Sequence, residues 1–305
     1  MKYICAQPPI LYYEWQLHIF LKSLITHGID AKDICIITLK DHPKASPTFQ
    51  TLGEIYGVQI YYYPDTRKSI VYIPSIRHHL LIQHWQSNPE LINEVVFYCD
   101  SDILLRQPLN LHDKLNDDIW YVSDAKSYIG HDYIKQHGVN VLDKMCAIVG
   151  IKKSLVKEQQ NNSGGAQYLL KHVTTEFWQE VYDDSINLFT ELSKYNQTQE
   201  KLSKKPQLQI WCADMWAILW NAWKRGITTK ITSDFDFSWG SSTQAEWDNK
   251  PIYHNAGVIK SDCDGQFCKA NYIDMLPPAD LQLHTELANK NYYQVVQAVL
   301  YGDNI

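Results

Sequence analysis

Asp100 and Asp102 follow a run of apolar, β-branched and aromatic residues, Val95-Val96-Phe97-Tyr98-Cys99. A continuous apolar run of this kind reads as a strand covered on both faces, as in a parallel sheet. Open α/β sheets bind ligands beyond the carboxyl ends of their strands. Two carboxylates at such an end could grip a hard divalent cation, and the cation could hold a diphosphate. The plainer alternative is a strand-end turn, a position aspartate favours anyway. Asp-x-Asp recurs at Asp234–Asp236 and Asp262–Asp264. Only the first copy ends a strongly apolar strand with most of an α/β pattern before it.

Three further segments carry compatible chemistry. His254 ends the strand-like Pro251-Ile252-Tyr253-His254 and is followed by Asn255-Ala256-Gly257. A neutral imidazole is a common metal ligand and suits Mn²⁺ better than Mg²⁺. Taken alone, one of twelve histidines at a strand end is more simply a packing residue. Asp214, in Trp211-Cys212-Ala213-Asp214-Met215-Trp216, opens a helix. An acid there also serves as a cap or complements the helix dipole. Trp216, Trp220 and Trp223 fall at i, i+4 and i+7, the spacing of a core stripe rather than a sugar platform. In Asn161-Asn162-Ser163-Gly164-Gly165-Ala166-Gln167, two glycines before a predicted helix would free backbone N–H groups to bind an anion or hydroxyls. The alternative is a plain loop and helix start. The Gly-Lys-Ser/Thr ending of a P-loop is absent.

The elements that must position these groups alternate regularly at first. Lys2–Ala6, Asp33–Leu39, Val58–Tyr63 and the run into Asp100 read as strands. Glu14–Thr26, Pro47–Tyr56 and Pro74–Gln86 read as helices, Pro74 suiting a first helical turn. This βαβαβαβ order predicts a parallel, doubly wound sheet. Beyond Asp102 the spacing predicts strands at Ile119–Ser123, Met145–Ile151, Thr228–Trp239 and Pro251–His254. It predicts helices over Ala166–Tyr195, Asp214–Lys224, Pro278–Asn289 and Tyr292–Tyr301. Gln7 ends the first strand, and Arg77 lies on the helix before the Asp-x-Asp strand. For either alone, a solvated surface role is the simpler reading.

A chain of 305 residues can bury a large core, as one big α/β domain or two smaller ones. Hydrophobic residues at 45% and charged residues at 20% place it among ordinary globular proteins. A net charge of −6 gives no general footprint for nucleic acid, although Lys201, Lys204 and Lys205 form a local basic cluster. The seven cysteines are scattered and none forms a C-x-x-C pair. The expectation is free thiols acting as small hydrophobes in a reducing compartment. The chain opens on strand-like Met1-Lys2-Tyr3-Ile4-Cys5, with no signal peptide or apolar span of about 18 residues before it. This predicts no membrane span and a cytoplasmic location.

The order of these segments resembles a GT-A fold glycosyltransferase over roughly residues 1–260: βα units, DxD, Gly-Gly, an acid-led helix, then His-x-x-Gly. The similarity extends distantly to glycosyltransferase family 8. That family's Asn-Ala-Gly-Val strand before the acidic segment is replaced here by Cys146-Ala147-Ile148-Val149-Gly150, while Asn255–Val258 carries the string instead. Retaining and inverting stereochemistry therefore both stay open. The resemblance implies one catalytic domain over 1–305: a nucleotide-sugar half at 1–105, an acceptor and catalytic half at 106–260, and a helical segment at 261–305. It implies transfer of a sugar from a nucleotide-diphosphate sugar, such as a UDP-sugar, to a hydroxyl. The acceptor could be a glycan, a protein, a lipid-linked saccharide or a modified base. Asp100, Asp102 and His254 would hold Mn²⁺ or Mg²⁺, with Asp100 alternatively on the ribose. Gln7 would meet the nucleotide base, Arg77 the donor, and Gly257 would let backbone approach the diphosphate. Gly164, Gly165 and Gln167 would line the sugar pocket, and Asp214 would face the reacting sugar. The competing readings are a non-catalytic nucleotide-sugar or glycan-binding module and a sugar-phosphate nucleotidyltransferase. Against the latter, Gln7-Pro8-Pro9-Ile10-Leu11-Tyr12 lacks a glycine-rich basic loop.

Overall fold

The computed structural model describes residues 1–202, 207–258 and 263–302. Lys204 and Lys205 of the basic cluster lie outside them. The first half alternates strand and helix as the sequence predicts. β1 (Lys2–Ala6), α1 (Leu11–Thr26), β2 (Ile34–Leu39), α2 (Thr51–Tyr56), β3 (Gln59–Tyr63), α3 (Ser75–Ser87) and β4 (Val96–Cys99) follow in turn. Then come β5 (Ile103–Leu105), β6 (Trp120–Asp124), α4 (Lys126–Ile129), α5 (His131–Gln136), α6 (Val139–Val149) and α7 (Lys153–Glu158). β7 (Gly164–Leu170), α8 (Thr175–Leu202), α9 (Ala213–Lys224), β8 (Thr229–Ile231), β9 (Phe237–Ser238), α10 (Gln244–Asn249), β10 (Ile252–His254) and α11 (Ala288–Tyr301) complete it.

The protein is a mixed α/β structure whose central sheet runs β3-β2-β1-β4-β7-β6-β8 and is flanked by helices. β1 pairs in parallel with β2, β2 with β3, and β6 with β8, whereas β6 and β7 are antiparallel. All residues of β2 and β4 are buried, while the edge strand β3 is half exposed. Continuous apolar runs thus took the two-sided interior positions. A second, three-stranded sheet has the order β5-β10-β9.

The chain divides into two compact units. A midchain unit comprises Met1, Asp65–Tyr98 and His112–Ser233; a terminal unit comprises Lys2–Pro64, Cys99–Leu111 and Asp234–Ile305. The midchain core includes Trp216, Trp220 and Trp223, all buried on α9, which packs on α8. The core-stripe reading of these tryptophans therefore holds. In the terminal unit, Trp15 and Ile19 of α1 cluster with Tyr253, Phe267, Tyr272, Tyr292, Tyr293 and Val296, fastening α11.

Three elements differ from expectation. Met145–Ile151 is not a strand but the end of α6. Val141, Leu142, Met145, Cys146 and Val149 are buried at helical spacing, which a seven-residue window starting at Met145 truncates. Gly150 ends the helix at φ +73° and donates to the Cys146 carbonyl at 2.9 Å. Gly164-Gly165 does not precede a helix. It opens β7, a fully buried strand whose glycine, alanine and glutamine have weak strand propensity, so tertiary pairing decided its state. The long helix starts only at Thr175, with the Phe177 N–H donating to Thr174 Oγ1 at 3.2 Å. Near the C-terminus, residues 278–287 are not helical and α11 is a single helix.

The glycine at 164 has a packing reason. A Cβ there would lie 2.2 Å from Val122 Cγ2 and 2.4 Å from the Ser123 carbonyl oxygen on β6. Gly164→Ala should therefore cost about 1–3 kcal/mol in urea unfolding, as overpacked cores do. An unchanged midpoint would show that β6 yields without strain.

Helix α3 carries three buried histidines, His78, His79 and His84. Burial lowers the pKa of His84 from 6.5 to about 4, and pushes that of His78 well below its usual value. The unfolded chain then binds more protons than the folded one between pH 6.5 and about 4. Stability is held above that window and falls as the pH drops through it, by about 3 kcal/mol for His84 alone. Denaturant midpoints measured from pH 7 to 4 should fall in the wild type and fall less steeply in His84→Gln, where of His78 and His84 only His78 remains. A parallel fall in both would remove His84 as a cause.

Cys263 and Cys268 form a disulfide, which corrects the expectation of free thiols throughout. The five free cysteines, Cys5, Cys35, Cys99, Cys146 and Cys212, are buried as expected. Among the described residues no helix is long and apolar enough to cross a membrane.

Candidate functional site

In the terminal unit, strand pairing brings Asp102 and His254 together across 150 residues of chain. After β4 the chain turns through Asp100-Ser101-Asp102 into β5, which pairs antiparallel with β10 and sets Ile103 opposite His254. The Asn255 N–H donates to the Asp102 carbonyl at 2.8 Å, locking the register one residue further. One ligand atom each from Asp100, Asp102 and His254 lie within 4.8 Å of one another. Ligands seated 2.0–2.6 Å from a cation are separated by at most about 5 Å. Two carboxylates and an imidazole at this spacing therefore fit a divalent ion.

The surroundings fix the ligands. Trp239 stacks on the His254 ring with centroids 5.5 Å apart and planes at 18°, and Phe237 meets it edge-on at 5.6 Å. His254 Nε2 sits 3.3 Å from Asp102 Oδ1, while its buried Nδ1 has no hydrogen-bond partner among the described residues. Asp102 Oδ2 forms an ion pair with Lys269 Nζ. Burial by itself would raise the pKa of Asp102, but the charges of Lys269 and His254 outweigh it and hold the carboxyl well below the usual carboxylate range. Burial likewise pulls the Lys269 ammonium down, and Asp102 more than offsets it, so the net shift is upward. Burial also raises the Tyr12 phenol, with Lys269 opposing and Asp102 adding to the shift. Lys269, in Phe267-Cys268-Lys269-Ala270-Asn271, has no motif around it and could not be found from the sequence.

Two other expected residues lie in the same unit. Gln7 is buried just past β1 and its N–H donates to the Ile37 carbonyl at 3.0 Å. Gly257 has φ +84°, a left-handed conformation that a side chain would strain.

The midchain unit holds a second polar centre. Arg77 Nη2, on α3, forms an ion pair with Asp214 Oδ2 at the start of α9, and both side chains are largely buried. Asp214 Oδ1 accepts from the Met215 N–H at 2.9 Å, while the Asp214 N–H donates to the Tyr72 hydroxyl at 3.2 Å. The Tyr72 hydroxyl in turn donates to the Trp211 carbonyl at 2.8 Å. The Arg77 side chain is thus largely buried, and Asp214 is not the helix cap: Cys212 holds that position and Asp214 lies in the first turn of α9. Gly165 lies close to the same helix: a Cβ there would fall 2.5 Å from Met215 Cε and 2.8 Å from the Tyr168 hydroxyl. Gln167 is fully buried on β7 and accepts from the Ser123 hydroxyl, while its Nε2 has no partner among the described residues. The Tyr168 hydroxyl is equally unpartnered among them. Its pKa is pushed well up by burial first and by Asp214 second. Tyr168 is a polar group that no motif marks, because the weak strand propensity of Gly164–Gln167 hides the strand that carries it.

No protein-family model and no curated protein matches the chain. Solved structures do. An active-site mutant of LgtC aligns with a TM-score of 0.51 at 10% identity, covering 98% of this chain and 96% of that one. The galactosyltransferase LgtC bound to donor and acceptor sugar analogues aligns at 0.47 and 11% identity, with the same coverage. The bifunctional glycosyltransferase WbbM aligns at 0.48 and 11% identity, over 85% of this chain but 46% of WbbM, so the chain spans less than half of that protein. With its mainly parallel sheet and its DxD at the end of the central strand, the chain has a GT-A-like fold.

Proposed function

We propose that this protein is a metal-dependent glycosyltransferase that moves a sugar from a nucleotide-diphosphate sugar, a UDP-sugar by preference, to a hydroxyl acceptor. The observation that carries the reading is the Asp100–Asp102–His254 cluster at the carboxyl end of β4 in a GT-A-like fold. These three side chains would hold the ion. When bound, a divalent ion supplies Lewis-acid neutralisation of the charge that develops on the departing β-phosphate. The imidazole in the donor set favours Mn²⁺ over Mg²⁺.

The remaining roles belong to the chain itself. Gln7 would meet the nucleotide base, and the left-handed backbone at Gly257 would admit the diphosphate closely. Gly164, Gly165 and Gln167 would shape the sugar pocket, with the unpartnered Gln167 Nε2 available to a sugar hydroxyl. Asp214 would face the reacting sugar. Its carboxylate is held by Arg77 Nη2 and the Met215 N–H, an arrangement that suits a fixed charge stabilising an oxocarbenium-like sugar. Arg77 would orient that carboxylate.

A panel of nucleotide-sugars incubated with Mn²⁺ tests the reading. One donor should be hydrolysed slowly without acceptor, and EDTA should abolish the reaction until Mn²⁺ is restored. Full activity in chelator would remove the metal from the mechanism. No hydrolysis or transfer from any donor would leave a binding module.

A further inference from the structure

A centre built to receive a divalent ion gathers negative charge, and that charge must be balanced when no ion is present. Here the chain supplies the balance. Lys269 Nζ pairs with Asp102 Oδ2, the carboxylate that also faces His254. The side chains of Asp102 and Lys269 are 11% and 23% exposed, so water screens the pair only in part. The backbone that delivers Lys269 is held on three sides. It begins a 3₁₀ turn, Lys269–Asn271, directly after the Cys263–Cys268 disulfide. Phe267 stacks on Tyr272 with centroids 5.5 Å apart, and Trp15 Nε1 donates to the Tyr272 carbonyl at 3.1 Å. The root of the side chain is fixed, while its four-carbon stem remains able to swing.

One carboxylate cannot hold an ammonium on one oxygen at full strength while its other oxygen ligates a divalent ion, because the two cations repel at close range. We propose that Lys269 is the internal counter-ion of this centre. Its ammonium neutralises Asp102 in the ion-free protein, competes with the divalent ion for that carboxylate, and moves aside when the ion enters. Lys269 thereby lowers ion affinity and keeps the empty centre folded. The inference rests on the metal reading above and adds a residue that none of the recognisable motifs contains.

The test is Mn²⁺ binding to the full chain by titration calorimetry, together with melting temperature with and without Mn²⁺. Lys269→Met keeps the stem and removes the charge. It should bind Mn²⁺ at least about tenfold more tightly than wild type, the scale expected for one like charge removed from contact range. Without metal it should melt below wild type, and Mn²⁺ should raise its melting temperature by more than it raises that of wild type. Lys269→Arg keeps the charge and should stay within about threefold of wild type. If Lys269→Met cannot be purified, Lys269→Gln keeps a hydrogen bond to Asp102 without the charge and should also bind more tightly. Wild-type binding with no gain in either neutral variant would overturn the counter-ion role and leave the metal centre standing. No Mn²⁺ binding by wild type or variants would overturn both. Intact Mn²⁺ binding without turnover of any nucleotide-sugar would sink only the transfer reading.

Discussion

Asp102→Ala should eliminate measurable Mn²⁺ binding and lower sugar transfer by at least roughly 10²–10³, the loss seen when one group stabilising transition-state charge is removed. Asp102 is the member of the cluster in contact with both His254 and Lys269, so its loss leaves the imidazole with a single carboxylate companion. The fold should survive, because β5 pairs with β10 through backbone and the Asp102 carbonyl still accepts from Asn255. Circular dichroism and calorimetry on the same sample separate the two effects. A folded Asp102→Ala protein that still binds Mn²⁺ with wild-type affinity would place the ion elsewhere.

The second large effect belongs to the Arg77–Asp214 pair. Asp214→Ala should reduce turnover by roughly 10²–10⁴. It should also cost about 3–5 kcal/mol of stability, because a largely buried guanidinium loses the Asp214 carboxylate. Asp214→Asn retains an acceptor and should cost less stability while losing comparable turnover. The combination Arg77→Met with Asp214→Leu removes both charges and should recover much of the lost stability but none of the turnover. Urea unfolding and initial rates on the three variants make the comparison. If stability and turnover recover together in the double variant, the pair is structural and the chemistry lies with other groups.

The first hundred residues were legible because each strand there is a short apolar run and each helix is punctuated by glycine or proline. Asp100, Asp102 and His254 were legible for the same reason, each lying just past or at the end of such a run. What stayed hidden depends on contacts between distant segments. β7 is built from Gly-Gly-Ala-Gln-Tyr-Leu-Leu, which no propensity marks as a strand, and only its pairing with β6 makes it one. With β7 unrecognised, the glycines looked like an anion loop, whereas Gly164 is required by the approach of Val122 and Ser123. Arg77 and Asp214 were each named, but not their pairing, because nothing in a linear pattern couples residues 137 apart. Lys269 was invisible for the same reason, whereas the Cys263–Cys268 bond closes only five residues but lacks a C-x-x-C spacing.

The three-residue strand β10 has a consequence for how this chain tolerates change. Successive side chains on a strand face opposite ways. On one side Tyr253 is fully buried against Tyr292 of α11, rings stacked at 4.7 Å; on the other, His254 meets Asp102. A shift of one residue in this pairing would exchange the two, presenting a phenol to the carboxylates and an imidazole to the aromatic core. Length variation should therefore accumulate in the loops on either side of β10 and be absent from within it. The anchoring of the C-terminal helix and the composition of the candidate metal site thus depend on one strand register.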